Sequence, residues 1–161
     1  MTFEEAIAQA GEFLGQGEAV WRAELPGFWQ TELGPRAFWV SLLTGDSPWA
    51  DDPPPALVDL VAAGPAILSE LLVKNLAMST AMALTHERQG NTDGAAGSQQ
   101  VQRRSLRWLA ALREPKLQAR LAQLQAAALG ETNADTDFLR KWGYDDEQRA
   151  AIAQVLAPLL T

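Results

Sequence analysis

The feature that most constrains this chain is the want of a second strand. The run Ala37-Phe38-Trp39-Val40-Ser41-Leu42-Leu43 is short and apolar enough to be extended, but no other run of that kind exists to pair with it. A lone strand is not stable in water, so the chain is expected to be built from helices, and its punctuation agrees. Thr2 and Glu5 form a capping-box pattern ahead of Phe3, Ala6, Ile7, Ala10, Phe13 and Leu14 at helical spacing, and Gly15 and Gly17 stop that helix. A short helix is expected over 35–43, with Pro35 at its first position. Further helices are expected over 55–63, 66–88 and 93–113, with Gly90 placed as a C-terminal cap. After a restart at Pro115 the pattern runs to Leu129. A polar turn from Gly130 to Asp135 leads into a short helix over 135–142, ended by Gly143. Asp145 then caps a last helix carrying the stripe Ile152, Val155, Leu156 and Leu159.

The expectation is an all-α, single-domain bundle of six to eight helices built on antiparallel helical hairpins. Residues 18–55 are rich in aromatics and prolines and are expected to be partly irregular, with a loop from Gly45 to Pro55; residues 56–161 form the bundle proper. A chain of 161 residues buries roughly 70% of its extended surface and needs no disulfide or metal to hold it. It has no cysteine, which removes disulfide frameworks and thiolate chemistry and fits a reducing, cytoplasmic setting. The acidic start Met1-Thr2-Phe3-Glu4-Glu5 is unlike a secretory signal. The apolar stretch from Leu57 to Leu84 is interrupted by Asp59, Gly64, Pro65, Glu70, Lys74 and Asn75. It reads as a core helix rather than a membrane insertion, which needs about 20 apolar residues in succession.

The protein is acidic, with a net charge of −7 and an isoelectric point near 4.7. Nucleic acid is not an expected partner, because phosphate binding needs concentrated Lys and Arg. The charge is unevenly spread. Residues 1–60 hold ten acidic side chains against Arg22 and Arg36, while residues 98–125 hold Arg103, Arg104, Arg107, Arg113, Lys116 and Arg120 against Glu114 alone.

Catalytic equipment is scarce. His86 is the only histidine, and position 90, where a zinc-protease helix needs its second histidine, is glycine. No serine stands in a Gly-x-Ser-x-Gly setting. Asn91 and Asp93 lack the later ligands of a calcium loop, and Gly90, Gly94 and Gly97 are not followed by the Lys of a phosphate loop. No metal and no cofactor is expected. An enzyme would need an acidic site assembled in space from groups such as Asp51-Asp52 or Asp145-Asp146-Glu147.

Two groups of residues suggest function. Arg103, Arg104 and Arg107, with Gln100, fall at helical spacings of three and four; their forked guanidinium groups suit the carboxylates of an acidic protein partner, or merely offset the acidic N-terminal third. Four of the six tryptophans, Trp21, Trp29, Trp39 and Trp49, lie in the first third beside Phe28 and Phe38. They read as an aromatic plug on the long helix. Alternatively, Trp21, Phe38 and Trp39 with Met78 and Met82 line a site for an apolar small molecule or pigment. The leading expectation is a non-enzymatic protein-interaction module, an adaptor or assembly factor, with a homodimer as one form of association.

Two resemblances accompany these readings. The turn Ala83-Leu84-Thr85-His86-Glu87-Arg88-Gln89-Gly90-Asn91-Thr92-Asp93-Gly94-Ala95 is similar to the mid-point of a tetratricopeptide hairpin, with Ser79 and Gln99 standing where that repeat has bulky residues. It implies an antiparallel hairpin. The segments Leu72–Met78 and Ala95–Arg104 resemble small uncharacterised all-helical proteins of cyanobacteria, which implies a cytoplasmic accessory role and transfers no functional residue.

Overall fold

The computed structural model describes residues 1–160, of which 77% are helical and none lies in a strand. Nine α-helices are present among them: α1 (Phe3–Gly15), α2 (Glu18–Phe28), α3 (Gly34–Thr44), α4 (Pro55–Ala62), α5 (Ile67–Arg88), α6 (Thr92–Leu112), α7 (Pro115–Ala128), α8 (Thr136–Lys141) and α9 (Asp146–Leu156). The run 37–43 is helical, as the lack of a pairing partner predicts. The contacts divide the chain into two compact units. Met1–Lys74 and Arg103–Leu112 form the first; Asn75–Gln102 and the chain from Arg113 onward form the second.

Local chemistry explains where the helices begin and end. The Thr2 hydroxyl accepts the Glu5 amide while the Glu5 carboxylate accepts the Thr2 amide, and Asp145 and Gln148 repeat that reciprocal cap at α9. Gly90 closes α5 at a φ of 70°. There its amide donates to the Glu87 carbonyl, and the Asn91 amide reaches back to the His86 carbonyl, a Schellman closure that a side chain at position 90 would strain. The Asn91 side chain then caps α6 by accepting the Gly94 amide at 3.0 Å. The same pair of backbone bonds ends α7 at Gly130 and α8 at Gly143.

Residues 18–55 are more regular than expected. Their composition suggests irregular chain, yet they hold α2, α3 and a 3₁₀ turn at Pro48–Ala50. Pro26 lies inside α2, near enough to its end that the helix stops at Phe28 rather than kinking and continuing. Gly34 makes the sharp turn into α3 possible, because a Cβ there would overlap the Phe28 carbonyl.

In the first unit α1 packs on α2 and, most closely, on α3. Ala6 and Ala10 are fully buried on the small face that permits this approach. The core is aromatic. Trp29 meets Phe38 edge to face at 5.1 Å, Phe38 meets Trp39 at 4.8 Å, and Trp39 meets Trp108 at 5.4 Å. The Trp39 indole donates to the Leu68 carbonyl at 2.8 Å, which ties this aromatic cluster to the start of α5.

In the second unit α7 packs on α9 and α8, burying Leu117, Leu121, Leu124, Leu139, Ile152 and Leu156. Arg120 grips the buried Asp135 with two bonds of 2.6 and 2.9 Å, and Gln123 adds a third at 3.1 Å, fixing the turn between α7 and α8. Gln148 donates to the Ala81 carbonyl and the Thr85 hydroxyl, both at 2.9 Å, tying α9 to α5. By length and composition α5 is also apolar enough to cross a membrane, with a mean hydropathy of 1.3 over its best window; half of that window is buried in the protein.

Candidate functional site

Among the three arginines singled out by spacing, one is turned inward. Arg104 follows Val101 by three residues and precedes Trp108 by four, so it falls in register with the apolar stripe of α6 and is 6% exposed. Its donors are spent within the chain. Nη1 donates to the carbonyls of Leu43 at 2.9 Å and Gly45 at 2.8 Å; Nε and Nη2 take the two carboxylate oxygens of Asp51 at 3.2 and 3.3 Å. Arg107 remains on the exposed side, and its Nε donates to the Asp51 carbonyl at 3.0 Å. Arg103 is exposed, and its side chain makes no hydrogen bond or ion pair with another described residue. Of the face proposed for an acidic partner, only Arg103 keeps all its donors for such use.

Helix α6 has a further role that spacing alone does not reveal. Arg104, Arg107 and Trp108, whose indole donates to the Trp49 carbonyl at 3.1 Å, all bind the segment from Leu43 to Asp51. That segment forms one wall of a surface cleft of about 420 Å³, supplied by Gly45, Asp46, Ser47, Pro48 and Trp49. The facing wall and floor are Gly11, Leu14 and Gly15 of α1 with Ser41 of α3. A Cβ at Gly15 would meet nothing within 4 Å, and one at Gly11 would meet only the Ser41 hydroxyl at 3.2 Å. The two glycines, one helical turn apart, therefore open the cleft. Trp49 is half-buried and is steadied edge-on by Trp21 at 6.1 Å. Asp46 is exposed at the wall, without a partner among the described residues.

The residues proposed to line an apolar ligand site are placed differently. Trp21, Phe38 and Trp39 are at most 1% exposed and belong to the first unit, packed on other aromatic side chains. Met78 and Met82 belong to the second, where Met82 is 36% exposed. A smaller cavity in the first unit, about 160 Å³, is lined by Pro26, Trp29, Gln30, Leu60, Ala63, Gly64 and Pro65, so neither cavity is bounded by the predicted set. The cleft at Gly11 and Gly15 was missed because Gly15 reads from sequence only as a helix stop. The signal that could have found it is the glycine pair at a spacing of four, followed by Gly45-Asp46-Ser47-Pro48.

The charged groups of the second unit are structural in their geometry. Arg88 of α5 donates to Asp145 at 2.7 Å and to Glu147 at 3.0 Å. The bond to Asp145 does most to raise the guanidinium's pKa above its ordinary value, and its counterpart lowers that of the Asp145 carboxyl, which the Gln148 amide lowers further. His86 lies against the Asn91 side chain in the α5–α6 turn at 3.3 Å. Burial pushes the Tyr144 hydroxyl up to about 12. Among the described residues, no three His, Asp or Glu side chains converge as metal ligands.

Compared with known proteins, the chain matches the model of the family described as uncharacterised conserved protein UCP020893 over residues 2–159. No curated protein and no solved structure matches it.

Proposed function

Because the chain belongs to that family over nearly its whole length, with no activity attached to the family's description, we propose a function from the cleft: a protein-interaction module, acting as an adaptor or assembly factor, that holds a segment of a partner protein. The observation behind this reading is the cleft's construction. Its floor is opened by Gly11 and Gly15, its aromatic wall is Trp49, and its loop is tethered by Arg104, Arg107 and Trp108. A tethered wall lowers the ordering cost of binding, and a half-buried tryptophan is the kind of side chain that anchors interfaces. The volume, about 420 Å³, suits a few side chains of a partner.

The reading is tested with a photo-crosslinking amino acid placed at position 12, exposed on α1 beside the cleft residue Gly11 and outside the lining itself, in cells of the native organism. The expected result is a discrete crosslinked protein absent when the same group replaces Glu4, which is exposed on α1 outside the cleft. Equal crosslinking from both positions, or none from position 12, would count against the proposal.

A further inference from the structure

We infer that the segment held in the cleft carries a basic residue beside an apolar one, the ammonium or guanidinium group meeting Asp46 and the apolar side chain lying on Trp49. This inference rests on the interaction reading above and gives it a partner chemistry. Asp46 is the only ionisable side chain lining the cleft. Arg104, the cation nearest in the hydrogen-bond network of its loop, is occupied by Asp51 and by the carbonyls of Leu43 and Gly45. Asp46 thus keeps its charge uncompensated within the fold. The surrounding chain has the same sign, since residues 1–60 carry ten acidic side chains against two arginines. Such a field favours the approach of a cation and disfavours an acidic segment. Trp49 adds an apolar face whose π cloud also attracts cations. An acidic partner, the expectation from the arginine spacing, would bring its carboxylates against Asp46.

The test is selection of a random-peptide phage library on the full chain, on the Asp46→Lys variant and on the Gly15→Leu variant, with circular dichroism to check that each is folded. Leucine at position 15 has open space for its Cβ, and its helical preference exceeds that of glycine, so it fills the cleft without opposing the helix. The expected outcome is enrichment of Lys or Arg next to Leu, Ile or Phe, lost with Gly15→Leu. Asp46→Lys should weaken the selected peptides by roughly fivefold, the scale of a solvent-exposed ion pair, and shift selection toward acidic sequences. Enriched peptides that are neutral or acidic, need Gly15 and ignore Asp46→Lys would overturn the basic-segment inference and leave the interaction reading standing. Peptides indifferent to Gly15→Leu would overturn both. A chain mass in solution that doubles, and returns to one copy in Gly15→Leu, would give the cleft to a second copy and overturn the inference as well.

Discussion

A single guanidinium illustrates how burial redirects chemistry. One position earlier on α6, Arg103 is an ordinary surface cation, whereas Arg104 satisfies the buried Leu43 carbonyl, the half-buried Gly45 carbonyl and the Asp51 carboxylate. Removing it leaves acceptors unpaired, each costing about 1–3 kcal/mol. Arg104→Ala is therefore expected to lower unfolding stability by about 3 kcal/mol in a urea titration. Arg104→Lys should recover only part of this, since an ammonium cannot reproduce the forked contact with Asp51. Tyr144 gives a second test. It is the only tyrosine, so phenolate absorbance reports it alone. Its hydroxyl is held up at about 12 in the folded chain against an ordinary 10.0. The folded state thus favours the protonated phenol, and this contribution is complete below pH 10 and is lost as pH rises toward 12. The phenolate midpoint is expected near the higher value in buffer and near the lower one in concentrated urea; Tyr144→Phe should remove the corresponding loss of stability. The arginine spacing was legible from sequence, whereas the inward turn of Arg104 was not, because it depends on which neighbours its helix face meets.

At the scale of elements, most boundaries follow from local rules. The reciprocal caps at Thr2 and Asp145 and the glycine closure after α5 need only neighbours within five residues, and they stand where the sequence predicts them. The exception is α2. A proline near its end suggests interruption, but the buried Trp21, Leu25 and Phe28 recur on one face of the helix, and packing of that face outweighs the weak local preference. Glycines make the contrast measurable. Gly15→Ala should hold or raise stability by up to about 1 kcal/mol, because glycine weakens a helix and space is open there. Gly34→Ala should lower it by more than 2 kcal/mol, roughly the cost of strain in a packed turn, because its Cβ would strike the Phe28 carbonyl. Thermal melts of the two variants in parallel check the difference. If both behave alike, the account of the α2–α3 turn is wrong.

Across the whole molecule, the fold class follows from the sequence pattern, while division of labour follows from packing. Two compact units appear, and α5 and α6 each contribute to both. The aromatic residues that the sequence concentrates in the first third gather in the first unit's core together with Trp108, 59 residues beyond Trp49 along the chain. Meanwhile Leu129 and Trp142 stay 68% and 51% exposed. Hydrophobic character alone therefore did not decide which large side chains are buried. The charge asymmetry was readable at once. Its consequence was not, since the basic stretch spends Arg104 and Arg107 on the chain's own 43–51 segment and Arg120 on Asp135.

The order of residues alone determined that this protein is helical, where most helices begin and end, and that it carries an acidic first third. Those properties arise from contacts a few positions apart and from a sum of charges. Tertiary structure decided the cleft, the inward arginine and the tethered loop. The cleft joins positions 11 to 49 and the tethered loop positions as far apart as 43 and 104; such meetings depend on how faces of separate helices bury one another, which no local pattern encodes.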